Sequence, residues 1–98
     1  MKKKPSQGIH TRLVHAGFHG DPSGAVTVPI FQTSTFAFRD ADHGAALFGG
    51  ADDGYIYTRL GNPTIRALEE CVGELEIGQR GIATSSGMGA VSTVYIAV

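Results

Sequence analysis

The chain of 98 residues predicts an α/β fold. The Asn62-Pro63 pair opens a stretch where Ile65, Leu68, Val72 and Leu75 recur at helical spacing. Ile82-Ala83-Thr84 is a short apolar run of the kind that forms a buried strand. Ser85 or Ser86 then caps a second helical pattern through Met88, Val91, Val94, Tyr95 and Val98. Helix, strand and helix with no second parallel strand make the beginning of an α/β sheet, not a whole one. The last pattern is still running at Val98, so we expect the N-terminal piece of a longer protein.

Composition sets the outer limits. Hydrophobic residues at 42% and charged residues at 17% describe a globular chain. The 14 glycines imply long turns and close backbone approaches. A net charge of −1 argues against nucleic acid or an anionic membrane as partner. Ala90 to Val98, the most apolar stretch, is far shorter than the roughly 20 residues of a membrane span. Lys2-Lys3-Lys4 is followed by Pro5-Ser6-Gln7-Gly8 with no apolar segment, so it reads as a solvated tail and not a signal peptide. The single cysteine, Cys71, excludes an internal disulfide, fits a cytoplasmic setting and reads as a small core side chain beside the helical stripe.

Along the chain, residues 1–10 read as a flexible arm, and Thr11 caps a short helix through Arg12 to His15 that Gly17 ends. Gly20-Asp21-Pro22-Ser23-Gly24 is a loop. Val26 to Phe38 is rich in β-branched and aromatic residues, but Pro29 removes a ladder donor, so it is extended without being a central strand. Asp40 or Asp42 caps a helix over Ala45 to Phe48 that Gly49-Gly50 stops. Tyr55 to Leu60 is extended again, which puts Tyr57 and Arg59 on one face by strand alternation. Gly78 closes the helix that follows Asn62-Pro63.

Two segments carry chemistry. Gly87 and Gly89 leave the start of the last helix open, and its unpaired N–H groups suit a phosphate dianion, with the Ser86 hydroxyl as a further donor. Arg59 offers a planar fork for two phosphate oxygens and Tyr57 a neutral phenol donor. Read separately, each has a plainer account: a strand-to-helix turn, a surface ion pair of Arg59 with Asp52 or Asp53, a half-buried aromatic. A dinucleotide site fits poorly, because Ser92 stands where a third glycine belongs. A zinc site fits no better, because His10, His15, His19 and His43 have no common ligand spacing.

Read together, four segments resemble one family. Pro29-Ile30-Phe31-Gln32-Thr33-Ser34-Thr35-Phe36, Phe48-Gly49-Gly50, Tyr55 to Thr64, and Ser86-Gly87-Met88-Gly89-Ala90 are similar, in this order, to the opening part of the Cys/Met-metabolism enzymes that depend on pyridoxal 5′-phosphate. The family includes cystathionine γ-synthase and the cystathionine and methionine γ-lyases. The stretches at Phe48-Gly49-Gly50 and Gly54-Tyr55-Ile56-Tyr57 look closest to methionine γ-lyase.

The resemblance implies an aspartate aminotransferase-like large domain, incomplete here. Residues 1–61 would form an extended arm reaching a neighbouring subunit, and 62–98 would open the cofactor domain. It implies that Gly87 and Met88 hold the cofactor phosphate through backbone N–H groups in one subunit, while Tyr57 and Arg59 bind the phosphate in its neighbour. It implies a sulfur amino acid or O-acylhomoserine substrate, γ-elimination or γ-replacement, and a cytoplasmic homotetramer built as a dimer of dimers, with no metal. The family carries its cofactor on a lysine, and no lysine follows Lys4, so the chain by itself is expected to be inactive. The other reading is an interaction fragment that docks on a full-length relative.

Overall fold

The structure, a computed structural model, describes residues 7–98. The expectation of a solvated Lys2–Lys4 tail lies outside them. Four helices follow in order: α1 (Ile9–His15), α2 (Ala41–Phe48), α3 (Pro63–Leu75) and α4 (Gly87–Ala97). The chain divides into two compact units, Phe18–Ala67 and Met1–Gly17 with Leu68–Val98.

In the unit Phe18–Ala67, the core gathers on α2. Asp40 is its N-cap, and its carboxylate accepts from the His43 N–H at 2.7 Å. Leu47 is buried at 6% exposure, and Gly44 is buried under the Phe38 ring. Phe38 meets Phe48 edge-on at 6.1 Å, and Phe36 leans on Tyr55 at 5.4 Å between centroids. The Pro29 segment is extended but forms no strand. Its pairing with 55–58 consists of one antiparallel bridge, Thr35 to Tyr57, flanked by Phe36 N–H to Ile56 O (3.0 Å) and Thr58 N–H to Ser34 O (2.8 Å). In the loop before it, Ser23 and Ala25 donate to the Asp21 carboxylate, and the Ser23 hydroxyl chiefly holds that carboxyl below its ordinary pKa.

In the other unit, α1 begins two residues before the predicted Thr11 cap, with Gly8 as N-cap, and the chain turns away at Gly17 with φ +80°. The end of α3 is a Schellman motif: Gly78 N–H bonds Gly73 O at 2.8 Å and Ile77 N–H bonds Glu74 O at 3.2 Å. The left-handed residue of that motif is Ile77, at φ 55°, while Gly78, the residue expected to end the helix, donates its closing bond. A β-branched side chain there is strained. Segment 80–83 then runs back along α3 at backbone contact distance. Gly73 is buried against Arg80 and Gly81, and a Cβ on Gly81 would stand 2.5 Å from the Glu69 carbonyl oxygen.

Three expectations are corrected here. Ile82–Thr84 is no strand: Ile82 is 75% exposed, and the Ala83 amide bonds the Glu69 carboxylate at 2.8 Å instead of a ladder partner. The stripe on α3 is helical as predicted, but Ile65, Leu68 and Val72 are exposed. A stripe is buried only by a facing apolar layer, and the segment packed on α3 covers its Glu69–Gly73 side instead. Tyr95, expected in the core, is 79% exposed, as α4 has no such layer over it among the described residues. The α/β prediction is thus met only in its helices: the described residues contain one isolated bridge and no strand.

Candidate functional site

Tyr57 and Arg59 come together, but not through the strand alternation predicted from the sequence. The extended run breaks at Tyr57, whose carbonyl accepts from Leu60 N–H at 2.9 Å and Gly61 N–H at 3.0 Å. This turn brings Arg59 back, so that its guanidinium carbon lies 4.8 Å from the Tyr57 ring centroid. Tyr57 is half-buried and Arg59 exposed. Of the alternative partners for Arg59, Asp52 and Asp53, Asp52 faces His43 instead, 3.6 Å from its Nε2, and accepts from Gly54 N–H at 2.8 Å. Arg59 makes no ion pair among the described residues.

The turn is held from outside by Asn62, expected only as a helix cap, and by Thr58 and Thr64, for which the sequence suggests no separate role. Asn62 is 2% exposed. Its Oδ1 accepts from Thr64 N–H at 2.8 Å, the N-cap bond of α3. Its Nδ2 donates to Phe31 O at 2.9 Å and to Thr58 Oγ1 at 3.1 Å. The Thr58 hydroxyl donates to Thr33 O. Thr64 Oγ1 accepts from Phe31 N–H at 2.9 Å and donates to Pro29 O at 2.7 Å. Only the cap role of Asn62 has a signal in the sequence, in Asn62-Pro63; the bonds to Phe31, Thr33 and Pro29 join residues too far apart in the chain to be read from it.

Gly87 and Met88 stand together in the other unit as the first two residues of α4. Ser86 is the N-cap, with extended φ −156° and ψ 160°, and its Oγ accepts from Gly89 N–H at 2.9 Å. Thr84 braces the turn by donating its hydroxyl to Ser86 O at 2.8 Å. The amides of Gly87 and Met88 have no acceptor among the described residues, as expected of the first turn of a helix. A Cβ built on Gly87 meets nothing within 4 Å.

The donor set fits a phosphate dianion. Two open amides and a hydroxyl sit at the positive end of an eleven-residue helix, and a separate guanidinium with a phenol offers charge-assisted bonds. Among the described residues, no group of three or more His, Cys, Asp or Glu side chains is placed to hold a metal ion, and no helix is long and apolar enough to cross a membrane.

Comparison with known proteins agrees with this donor chemistry. The sequence model of the Cys/Met metabolism PLP-dependent enzymes matches residues 10–98. The L-methionine gamma-lyase of Fusobacterium nucleatum subsp. nucleatum is 50% identical over 93 residues, which are 95% of this chain and 23% of that protein. The L-methionine gamma-lyase of Porphyromonas gingivalis is 45% identical over 95 residues, covering 95% of this chain and 24% of that protein. A Campylobacter jejuni structure described as an O-acetylhomoserine (thiol)-lyase superposes with TM-score 0.86 at 33% identity, over 93% of this chain and 22% of that one. It carries N′-pyridoxyl-lysine-5′-monophosphate. The cystathionine gamma-lyase of Lactobacillus plantarum, complexed with L-serine, gives TM-score 0.77 at 35% identity, over 94% of this chain and 22% of that one. The chain therefore spans about a quarter of the length of the curated relatives it matches. It belongs to the Cys/Met metabolism family of PLP-dependent enzymes.

Proposed function

We propose, with family membership as the premise, that this chain is the opening part of an enzyme of sulfur amino-acid metabolism that removes or replaces a γ-substituent. The reaction is of the kind that methionine γ-lyase and cystathionine γ-lyase carry out. The substrate class is a sulfur amino acid or an O-acylhomoserine, and the setting is cytoplasmic. The identities of 42–50% to six methionine gamma-lyases support the lyase reading. Pyridoxal phosphate, when bound, supplies the electron sink that lets protons leave the substrate carbons beside the amino group.

This chain's own part is to grip and orient that cofactor by its phosphate. The Gly87 and Met88 amides, with the Ser86 hydroxyl, donate to the dianion at the start of α4. Tyr57 and Arg59 serve the phosphate of a neighbouring subunit, each protomer lending its couple to the other's site in a homo-oligomer built as a dimer of dimers. On this account residues 1–61 are the reaching arm, 62–98 open the cofactor domain of α/β type, and the lysine that carries the cofactor lies outside residues 1–98.

The observation that carries the proposal is the Arg59 guanidinium, exposed, stacked on Tyr57 and without an ion-pair partner among the described residues. Replacing it should weaken cofactor binding selectively. In the intact enzyme, Arg59→Ala is expected to raise the dissociation constant for pyridoxal phosphate about 10- to 100-fold, the worth of one or two charge-assisted bonds. Binding of pyridoxal, which lacks the phosphate, should hardly change. Equal loss for both ligands would contradict the assignment.

A further inference from the structure

We propose that Asn62 is the positioning residue of the Tyr57–Arg59 couple: one buried amide both starts α3 and ties the turn bearing the couple to the extended segment at Phe31. The inference rests on the reading of Tyr57 and Arg59 as a phosphate-binding couple, and adds the residue that aims it.

An N-cap needs only an oxygen acceptor, which serine, threonine or aspartate supplies equally well. Asparagine adds two donors on Nδ2, and both are used here, on Phe31 O at 2.9 Å and Thr58 Oγ1 at 3.1 Å. At 2% exposure water does not replace them. Thr58 lies between Tyr57 and Arg59, and its own N–H and hydroxyl bond Ser34 O and Thr33 O. Thr64, two residues into the same helix, holds Pro29 O and Phe31 N–H. The extended segment is thereby fastened by contacts 31 to 35 residues apart in sequence. The carbonyl that closes the turn, Tyr57 O, accepts from Leu60 and Gly61, which lead directly into Asn62. Asn62 therefore acts on the phosphate couple through Thr58 and the turn, not by touching the ligand.

The cap and the tie can be separated chemically. Asn62→Asp keeps an acceptor for Thr64 N–H, with a charge that suits a helix N-terminus, but sets an acceptor against the Phe31 carbonyl. Asn62→Ser keeps the cap and is too short to reach Phe31. In the intact enzyme, each should weaken pyridoxal phosphate binding about 10-fold, the worth of one buried hydrogen bond, with pyridoxal binding nearly unchanged. In an Arg59→Ala background neither should weaken it much further, since the couple is already broken. Amide exchange at Thr58 should accelerate, while Arg66, whose N–H bonds Asn62 O at 2.9 Å, keeps its protection.

Each outcome decides something. Weak binding from Arg59→Ala with tight binding from both Asn62 variants would overturn the positioning role and leave the phosphate couple standing. An undiminished loss in the Arg59→Ala background, or equal loss for pyridoxal, would also overturn it, by showing a general structural effect. An Arg59→Ala enzyme of unchanged affinity would remove the couple itself, and the inference with it. Should Asn62→Asp fail to fold, Asn62→Ser and Thr64→Val, which loses the bonds to Pro29 and Phe31, give the same decision.

Discussion

The two candidate phosphate grips are built in opposite ways. At the start of α4 every supporting contact is local: Ser86 to Gly89 and Thr84 to Ser86 span three and two residues. At the Tyr57–Arg59 turn, Thr58 is held by Ser34 and Thr33, 24 and 25 residues away, and the flanking Asn62 and Thr64 are held by Phe31 and Pro29, 31 to 35 residues away. A helix N-terminus carries its own donors by geometry and needs little scaffolding. A guanidinium and a phenol on a turn have rotational freedom, and only an external frame fixes where they point. The local grip should therefore fail locally, and the framed one at a distance.

The largest expected effect strikes the packing of segment 80–83 on α3, in the unit that carries the local grip. Gly81→Ala places a Cβ 2.5 Å from a backbone oxygen of α3, which should cost about 2–3 kcal/mol as overpacking. Denaturant unfolding of the intact enzyme measures the loss. Amide exchange at Gly89 should nonetheless stay slow, because its bond to Ser86 Oγ does not involve residue 81. Fast exchange there would show that the turn leans on segment 80–83 and would erase the contrast.

Ser86→Ala comes next. Loss of the N-cap should cost about 1 kcal/mol, with faster exchange confined to the first turn of α4 and weaker phosphate binding there. Exchange changes at Phe36 or Thr58, in the framed region, would break the comparison. Of the same size or smaller, and opposite in sign, is Ile77→Gly. It relieves a β-branched residue at φ 55°, and should raise stability by about 1 kcal/mol in denaturant unfolding. A loss of stability would mean that the exposed Ile77 side chain packs usefully in the intact protein.

The same contrast explains what the sequence made legible. Asn62 was readable as a cap, and Asp40 and Ser86 as one of two candidates each beside Asp42 and Ser85, because a cap is a relation between residues two or three apart. The boundaries of α3 followed from Asn62-Pro63 and the apolar period. The second use of Asn62, its donation to Phe31, was not readable, since nothing near residue 62 shows which carbonyl will arrive from residue 31. The juxtaposition of Tyr57 with Arg59 was foreseen by a mistaken route: strand alternation was assumed, whereas Leu60 and Gly61 close a turn on Tyr57 O. Ile82–Thr84 was misread for a related reason. An apolar run becomes a strand only beside another strand, and here Glu69 takes the Ala83 amide.

The division of labour between the grips is tested most directly by hybrid oligomers of two complementary variants. Arg59→Ala removes the fork. Gly87→Pro deletes one donor N–H of α4 at a position where proline suits the first helical turn, after a residue already extended. Each variant alone should bind pyridoxal phosphate weakly. If each protomer lends its couple to its neighbour, a hybrid dimer joins an intact α4 to an intact couple at one of its two sites, and titration should find one tight site per hybrid dimer. Hybrids with no tight site would place both grips on the same phosphate within one protomer and contradict the account.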